Sequence, residues 1–398
     1  MNIIYLTFKY FEYFFIIYLG LSSIYILIFA LAGIARKKIT YPKNKIKNRI
    51  AVFIPCYKED SVIINTAKSA ILQKYPLDKF EIIVIADSFL KQTLDELESI
   101  PVRIINVSFK NSTKAKALNK AFEIIKNTFD IAIILDADNI MEPLFLDKIN
   151  NAFNKNFKAI QGHRKAKNFN TAYAILDGVS EEVNNNIFRQ GHRTLKMSSA
   201  LIGSGMAFEY NLLKNTMKKI DAISGFDKEL ELLLIQQKIT VEYLDNAIVY
   251  DEKIQKASHF RNQRRRWLSS KITFFKKYAP QVFHELFLKG NIVYVDKIYQ
   301  MIAPPRIILL GGSFLVSLLY FLLTIFGYQT WLSEKWLFIF LTTFFAIVIS
   351  VPKGFFNRKF VYAVFFLPST FIQMIISILS LKKAYKKFIH TPHSSKFN

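Results

Sequence analysis

Four uncharged runs, residues 13–35, 307–327, 336–352 and 360–381, bracket the middle of this chain. Each is long enough to cross the hydrocarbon core of a bilayer. A signal peptide does not explain the first, which is too long and lacks a basic segment before it. Directly after it come Arg36, Lys37, Lys38, Lys43, Lys45, Lys47 and Arg49 without an intervening acid. The positive-inside rule then places that stretch and the middle that follows in the cytoplasm. Lys353, Arg358 and Lys359 assign the loop between the last two runs to the same side, and Trp331 and Trp336 flank the opposite loop like interfacial anchors. One span before the middle and three after it put the C-terminus outside, whereas Lys382, Lys383, Lys386 and Lys387 argue for inside. Either one late run is re-entrant or the tail breaks the rule.

Composition narrows the classes further. With 52% hydrophobic residues the chain has too much apolar mass to stay disordered, and its 398 residues allow one large or two medium domains. A single cysteine, Cys56, rules out an intrachain disulfide and suits a reducing compartment. The formal net charge of +24, from 54 Lys+Arg against 30 Asp+Glu, calls for an anionic neighbour. The basic clusters lie mostly beside the uncharged runs, where anionic lipid accounts for them, and no aromatic-rich nucleic-acid motif accompanies them. Nucleic-acid binding is therefore not expected. A transporter is also disfavoured, because the runs lack intramembrane charge.

From residue 48 to about 279 the texture changes. Near-continuous apolar segments at 50–55, 81–86, 102–107 and 131–135 predict strands, and 61–74, 89–99 and 113–127 predict helices. That alternation predicts a mostly parallel sheet covered on both faces, which binds ligands at the carboxyl ends of its strands. Those ends carry Pro55-Cys56-Tyr57-Lys58-Glu59-Asp60, then Asp87-Ser88, then Asp136-Ala137-Asp138. Asp and Ser at such places also cap helices. Two carboxylates two residues apart in a basic chain, however, point to a hard divalent cation, which takes one or two carboxylates together with substrate phosphates. The domain limits expected are 1–47 for the first span and its basic flank, 48–279 for the cytosolic domain, 280–306 for an interfacial segment ending in Pro304-Pro305, and 307–398 for the late spans and tail.

Further along, Asp227-Lys228-Glu229-Leu230-Glu231 opens an apolar helical run. Its acids suit the positive end of a helix dipole, or one of them is a general base. In Gln263-Arg264-Arg265-Arg266-Trp267, guanidiniums suited to phosphate oxygens adjoin an indole that offers a flat face to a sugar ring. His163, His192 and His259 have no metal-ligand spacing, and no glycine-rich phosphate cradle of the dinucleotide or ATPase kind occurs.

Taken in order, these residues resemble the membrane-integrated family-2 glycosyltransferases, the group that includes cellulose, chitin, hyaluronan and poly-N-acetylglucosamine synthases. The resemblance implies an α/β fold of the GT-A type, that of nucleotide-diphospho-sugar transferases, with transmembrane helices at both ends. It implies that Pro55, Tyr57 and Glu59 hold uracil and ribose, that Asp87 contacts the base and that Lys114 of Lys114-Ala115-Lys116-Ala117-Leu118-Asn119 lies near the nucleotide. Asp136-Ala137-Asp138 matches the Asp-x-Asp motif, implying Mg2+ or Mn2+ held chiefly by Asp138. Gly205, in Gly203-Ser204-Gly205-Met206-Ala207, falls in the segment flanking the acceptor sugar. Gln263, Arg266 and Trp267 match Gln-x-x-Arg-Trp. Where the family shows Thr-Glu-Asp before its helix, this chain has Asp227-Lys228-Glu229, which puts Glu229 in the base position with Glu231 and Asp227 as reserves.

The resemblance further implies an inverting, metal-dependent transfer from a UDP-sugar to a polysaccharide or a lipid-linked acceptor, in an integral protein of an inner or plasma membrane. Asp138 and Arg266 would steady the departing diphosphate while Glu229 takes the acceptor's proton. No Phe-x-Val-Thr gating segment is present, so a single transfer that makes a glycolipid stands beside processive polymerisation.

Overall fold

The computed structural model describes residues 3–36, 41–126, 128–328 and 332–381. Lys37, Lys38, Asn127, Trp331, Lys382, Lys383, Lys386 and Lys387 lie outside the described residues. The strands are β1 (Ile50–Tyr57), β2 (Phe80–Asp87), β3 (Arg103–Val107), β4 (Ile131–Ile134), β5 (Ile140–Met141), β6 (Ala159–Ala166), β7 (Met206–Glu209) and β8 (Glu242–Asp251). The early helices are α1 (Ile3–Ile34), α2 (Asp60–Ala70), α3 (Lys91–Glu98), α4 (Lys114–Ile124), α5 (Phe145–Phe153), α6 (Ala172–Asn184), α7 (His192–Thr194) and α8 (Tyr210–Met217). The later ones are α9 (Phe226–Gln236), α10 (Ala257–Tyr278), α11 (Ile292–Ile302), α12 (Arg306–Ile325), α13 (Ser333–Ser350), α14 (Arg358–Val364) and α15 (Leu367–Leu379).

The eight strands form one sheet in the order β3-β2-β1-β4-β7-β6-β8-β5. β1 pairs parallel with β2 and β4, β2 with β3, and β6 with β8, while β7 and β5 run antiparallel to their neighbours. The four expected strands all form, each within two residues of its expected limits. Alternation along β1 explains why a continuous apolar run is needed there. Ala51 and Phe53 join the core on one face of the sheet, and Ile50, Val52 and Ile54 join the core on the other. β4 divides in the same way, with Ala132 and Ile134 on the first face and Ile131 and Ile133 on the second. Each such side chain, fully buried, contributes roughly 1.5–3 kcal/mol relative to exposure when it is as large as Phe53 or Ile54. Two packed layers thus fix the parallel strands so that β1, β2 and β4 end on one edge.

Three helices are long and apolar enough to cross a membrane: Lys9–Ile34, Arg306–Ile325 and Ser333–Ser350. α14 and α15 pass the same test only as a pair, bent by 47°. Pro368 stands in the first turn of α15, where it has no N–H to continue the helical bonds of α14 into α15. The bend falls in the run for which the side of the C-terminus did not close in the sequence. α11 occupies the expected interfacial stretch and ends before Pro304 and Pro305. Some juxtamembrane cations assigned to lipid instead dock on the domain, Arg36 to Asp245 at 2.6 Å and Lys47 to Asp147. On α1, Tyr25 donates to Asp296 of α11 at 2.6 Å, and its hydroxyl meets His192 Nε2 at 3.0 Å. The first long helix, α11 and the sheet domain therefore share one polar contact.

Candidate active site

The edge formed by β1, β2 and β4 collects the acidic motifs. β1 ends at Tyr57, and Lys58 turns away with φ 53°, its amide donating to the Asp87 carbonyl at 3.2 Å. Ser88 adopts φ 61° after β2, and its hydroxyl donates to Asp87 Oδ1 at 2.9 Å. Two successive left-handed residues at adjacent strand ends hold the loops open at this edge, a conformation costly for non-glycine residues and usually tied to function. Asp87 and Glu59 are both buried. Cys56 is buried as well; burial pushes its thiol far up, with Glu59, Lys114, Asp136 and Asp138 all acting on it from nearby. The thiol is inert, and it marks the point about which those four charges gather.

Lys114, the first residue of α4, binds Asp136 and donates to the Gly203 carbonyl at 2.7 Å, with its ammonium 5.2 Å from the centre of the Phe226 ring. Asp136 takes its position from its own amide, which donates to Ser204 Oγ at 2.9 Å; Ser204 in turn donates to Asn139. Asn139 donates to Asp251 at 3.0 Å, and Asp138 Oδ2 accepts from the Glu252 amide at 3.2 Å. The end of β8 therefore supports both carboxylates of Asp136-Ala137-Asp138. Gly205, at φ +62°, lets the chain pass so close to Val249 that an added Cβ would lie 3.0 Å from Val249 Cγ2. Its neighbour Gly203 lies alongside Asp227, whose Cγ would be 3.9 Å from a Cβ placed there.

α9 separates Glu229, in the base position the resemblance implied, from the reserve Asp227. Positions 227 and 229 are two apart, about 200° around a helix, so they face opposite ways. Asp227 is directed to Gly203, with Lys228 Nζ 3.7 Å away and the Arg266 guanidinium within its field. Glu229, 1% exposed, is held by Lys277 and by the Tyr278 hydroxyl at 2.9 Å. Glu231 is buried against Lys297 at 2.9 Å, and burial is outweighed by Lys297 and Lys228 so that its pKa falls. The structure brings Asp227 to the cluster and turns Glu229 and Glu231 towards α10 and α11.

Arg266 faces the cluster from α10. Burial lowers its pKa, opposed by Asp136 and Asp227. Gln263, one turn earlier, carries a buried Oε1 with no hydrogen-bond partner. Trp267 packs under the Arg264 guanidinium, 4.4 Å from the ring centre, and Phe260 takes the other contact of that cation at 4.8 Å. Pro55 and Tyr57 are half-buried at the end of β1. His163 and His192 are buried, His163 between Tyr243 and Glu182 and His192 beside Tyr25 and Asp296.

Among the described residues no group of three or more His, Cys, Asp and Glu converges as a metal cage. The donor set at β4 nevertheless fits a hard cation, with two carboxylates on one turn, one of them paired with Lys114. The sequence did not point to Ser204, Asn139 and Asp251, the polar relay behind the motif. The one signal available was a run of hydrogen-bonding residues after apolar strands.

This fold and strand-edge chemistry define a nucleotide-sugar-type transferase architecture of the GT-A kind. The chain belongs to the glycosyltransferase like family 2, whose model matches residues 48–270. It is 23% identical over 402 residues to the probable glycosyltransferase YdaM of Bacillus subtilis (strain 168), covering 94% of both chains. The mannosyltransferase PcManGT from Pyrobaculum calidifontis, solved in complex with GDP-Man and Mn2+, is similar in fold, with a TM-score of 0.56 at 15% identity over 92% of this chain and 96% of that one. The chain is a glycosyltransferase.

Proposed function

We propose that this protein is an integral membrane enzyme that transfers a sugar from a nucleotide-diphosphate sugar to a saccharide or lipid-linked acceptor, with Asp227 as general base in place of Glu229. The observation that carries this reading is the convergence of Lys114, Asp136, Gly203, Asp227 and Arg266 from five separate segments. Asp138 and Asp136 would hold Mg2+ or Mn2+, which when bound neutralises charge on the diphosphate.

The chain's own groups account for the remaining steps. Pro55, Tyr57, Glu59 and Asp87 shape the edge where the nucleoside rests, and Lys114 stands beside its phosphates. Asp227 accepts the proton of the acceptor hydroxyl as that oxygen bonds to the anomeric carbon. The bond from that carbon to the diphosphate oxygen breaks on the opposite face, which inverts the centre, and Arg266 with Gln263 receives the departing oxyanion. The buried and unpartnered Gln263 Oε1 is an acceptor and supports a contact with a ligand hydroxyl; only the Nε2–H groups of that amide can donate to the oxyanion. Trp267 and Gly205 border the acceptor side.

The resemblance implies a UDP-sugar, and PcManGT binds GDP-Man, so the base is resolved by a screen of donors. The full chain in detergent is incubated with UDP- and GDP-sugars and Mn2+, and nucleoside diphosphate release is followed with mass analysis of the product. Release with one donor and a matching sugar adduct supports the reading. No release with any donor, at every acceptor tried, contradicts it.

A further inference from the structure

A second cluster of charge lies between the site just described and the helices that are long enough to cross a membrane. Lys271 of α10 reaches the Gln300 carbonyl of α11 at 3.2 Å. Arg306, the first residue of α12, donates to the Ser180 carbonyl at 3.2 Å and to Asn184 Oδ1 at 2.8 Å. Lys228 comes from α9, one residue past Asp227, and Arg264 from α10 two turns before Lys271. Lys228, Arg264 and Arg306 all act on the Lys271 ammonium.

Four cations from three helices thus converge, and the acids near them are committed. Asp177 is paired with Arg264, Glu231 with Lys297 and Lys228, and Glu181, which acts on Arg306 from beyond ion-pair range, with Arg164, Arg189 and Lys253. Among the described residues neither Lys271 nor Arg306 has a carboxylate in ion-pair range; both meet only neutral oxygens. Arg306 Nη1 and Arg264 Nε are buried without any acceptor. Like charges brought together away from water are expensive unless an anion joins them. A guanidinium with unused N–H groups beside a lysine ammonium suits phosphate oxygens, which accept several charge-assisted hydrogen bonds.

We propose that Lys271, Arg306, Arg264 and Lys228 form a seat for a phosphate group carried by the acceptor. This rests on the transferase reading, since Lys228 adjoins the base Asp227. The phosphate is held and not transferred. It sets the distance between an acceptor hydroxyl and Asp227, and the position of Arg306 at the head of α12 places the seat where a lipid-borne phosphate lies.

The test uses the full chain in detergent micelles with three probes: fluorescent phosphatidic acid, radiolabelled inorganic phosphate, and UDP or GDP with Mn2+ for the donor side. Lys271→Met and Arg306→Gln each weaken phosphatidic acid binding about tenfold or more, and Lys271→Arg, which keeps the charge, restores it. Nucleotide binding stays within about twofold in all three variants, because none of these residues belongs to the nucleotide edge. Joint loss of lipid and inorganic phosphate binding assigns the seat to the phosphate group alone; loss of the lipid only assigns it to a lipid-borne phosphate. Either result supports the proposal. Unchanged binding of both phosphate probes in the Lys271→Met, Arg306→Gln double variant overturns it. Failure of the unaltered chain to bind either nucleotide would instead strike the donor reading, and the two failures are separately visible.

Discussion

Two adjoining charge clusters meet helix α6, and they are built differently. In the first, Glu181 meets Arg164 at 2.9 Å, Arg189 at 3.0 Å and Lys253 at 3.6 Å, and Asp251 meets Lys253 at 2.7 Å. All five are buried. Burial alone would push Glu181 up, but Arg164, Lys253 and Arg189 outweigh it and hold the carboxyl well below the usual range; Asp251 is lowered in the same way. In the second, Asp177, Ser180 and Asn184, spaced three and four residues apart on one helical face, meet Arg264 and Arg306, and only Arg264 finds a carboxylate in ion-pair range. In the first cluster every cation has a carboxylate in ion-pair range, although Arg164 Nε is buried without an acceptor, and Asp251 with Asn139 braces the Asp136-Ala137-Asp138 turn. In the second, Lys271 and Arg306 have no such carboxylate among the described residues. Where each cation has its own carboxylate, the role is support; where cations lack one, the proposed place is for a ligand.

The comparison can be broken at several points. Asp138→Ala removes a carboxylate from the braced turn and is expected to lower sugar transfer roughly 10²–10³-fold and abolish cation-dependent nucleotide binding, both read on the purified chain. Glu181→Gln leaves Arg164, Arg189 and Lys253 with too little counter-charge; it is expected to cost about 3–5 kcal/mol of stability, measured as a denaturant or thermal midpoint. Because Glu181 and Asp251 are depressed in the folded state, their contribution is present above the ordinary carboxylate range and is lost as pH falls through their lowered values. Acid titration of the thermal midpoint should therefore show a loss below about pH 4 that is smaller in Glu181→Gln.

The smallest effect sharpens the other side. Lys271 is pushed down to about 8 by burial and then by Lys228, Arg306 and Arg264, while the Gln300 carbonyl is its hydrogen-bond partner and Asp177 and Glu231 are engaged elsewhere. Its charge is full below that value and lost above it. Phosphatidic acid affinity should fall several-fold as pH rises through about 8, and Lys271→Met should flatten the profile.

The placement of the residues proposed for the nucleotide was legible in the sequence because each part follows a strand. Apolar runs fix β1, β2 and β4, parallel packing aligns their ends, and Glu59, Asp87 and Asp136 fall where those ends must be. Lys114 was legible for a similar reason, as the first residue of a helix after β3. The acceptor half was not. Whether Asp227 or Glu229 faces the cluster depends on the phase of α9, and that phase is set by Gly225, whose φ of +72° starts the helix against Ser270 of α10. A contact made 45 positions away leaves no local pattern. Lys271 and Arg306 were hidden for a further reason: each looks like an ordinary basic residue beside a membrane run, and only the tertiary fold shows that no acid meets them. The bend of α14 and α15 sits between these cases, since Pro368 is visible in the sequence but the 47° it permits is not.

The central claim is that α9 presents Asp227, and not Glu229, to the reacting hydroxyl. Single-turnover sugar transfer by the full chain, with the donor found in the screen, compares Asp227→Asn with Glu229→Gln. Asp227→Asn should slow transfer on the order of 10²–10⁴-fold with nucleotide binding retained, while Glu229→Gln should keep most of its rate and lose thermal stability. Near-normal transfer in Asp227→Asn, together with a collapse of transfer in a stably folded Glu229→Gln, would contradict the account.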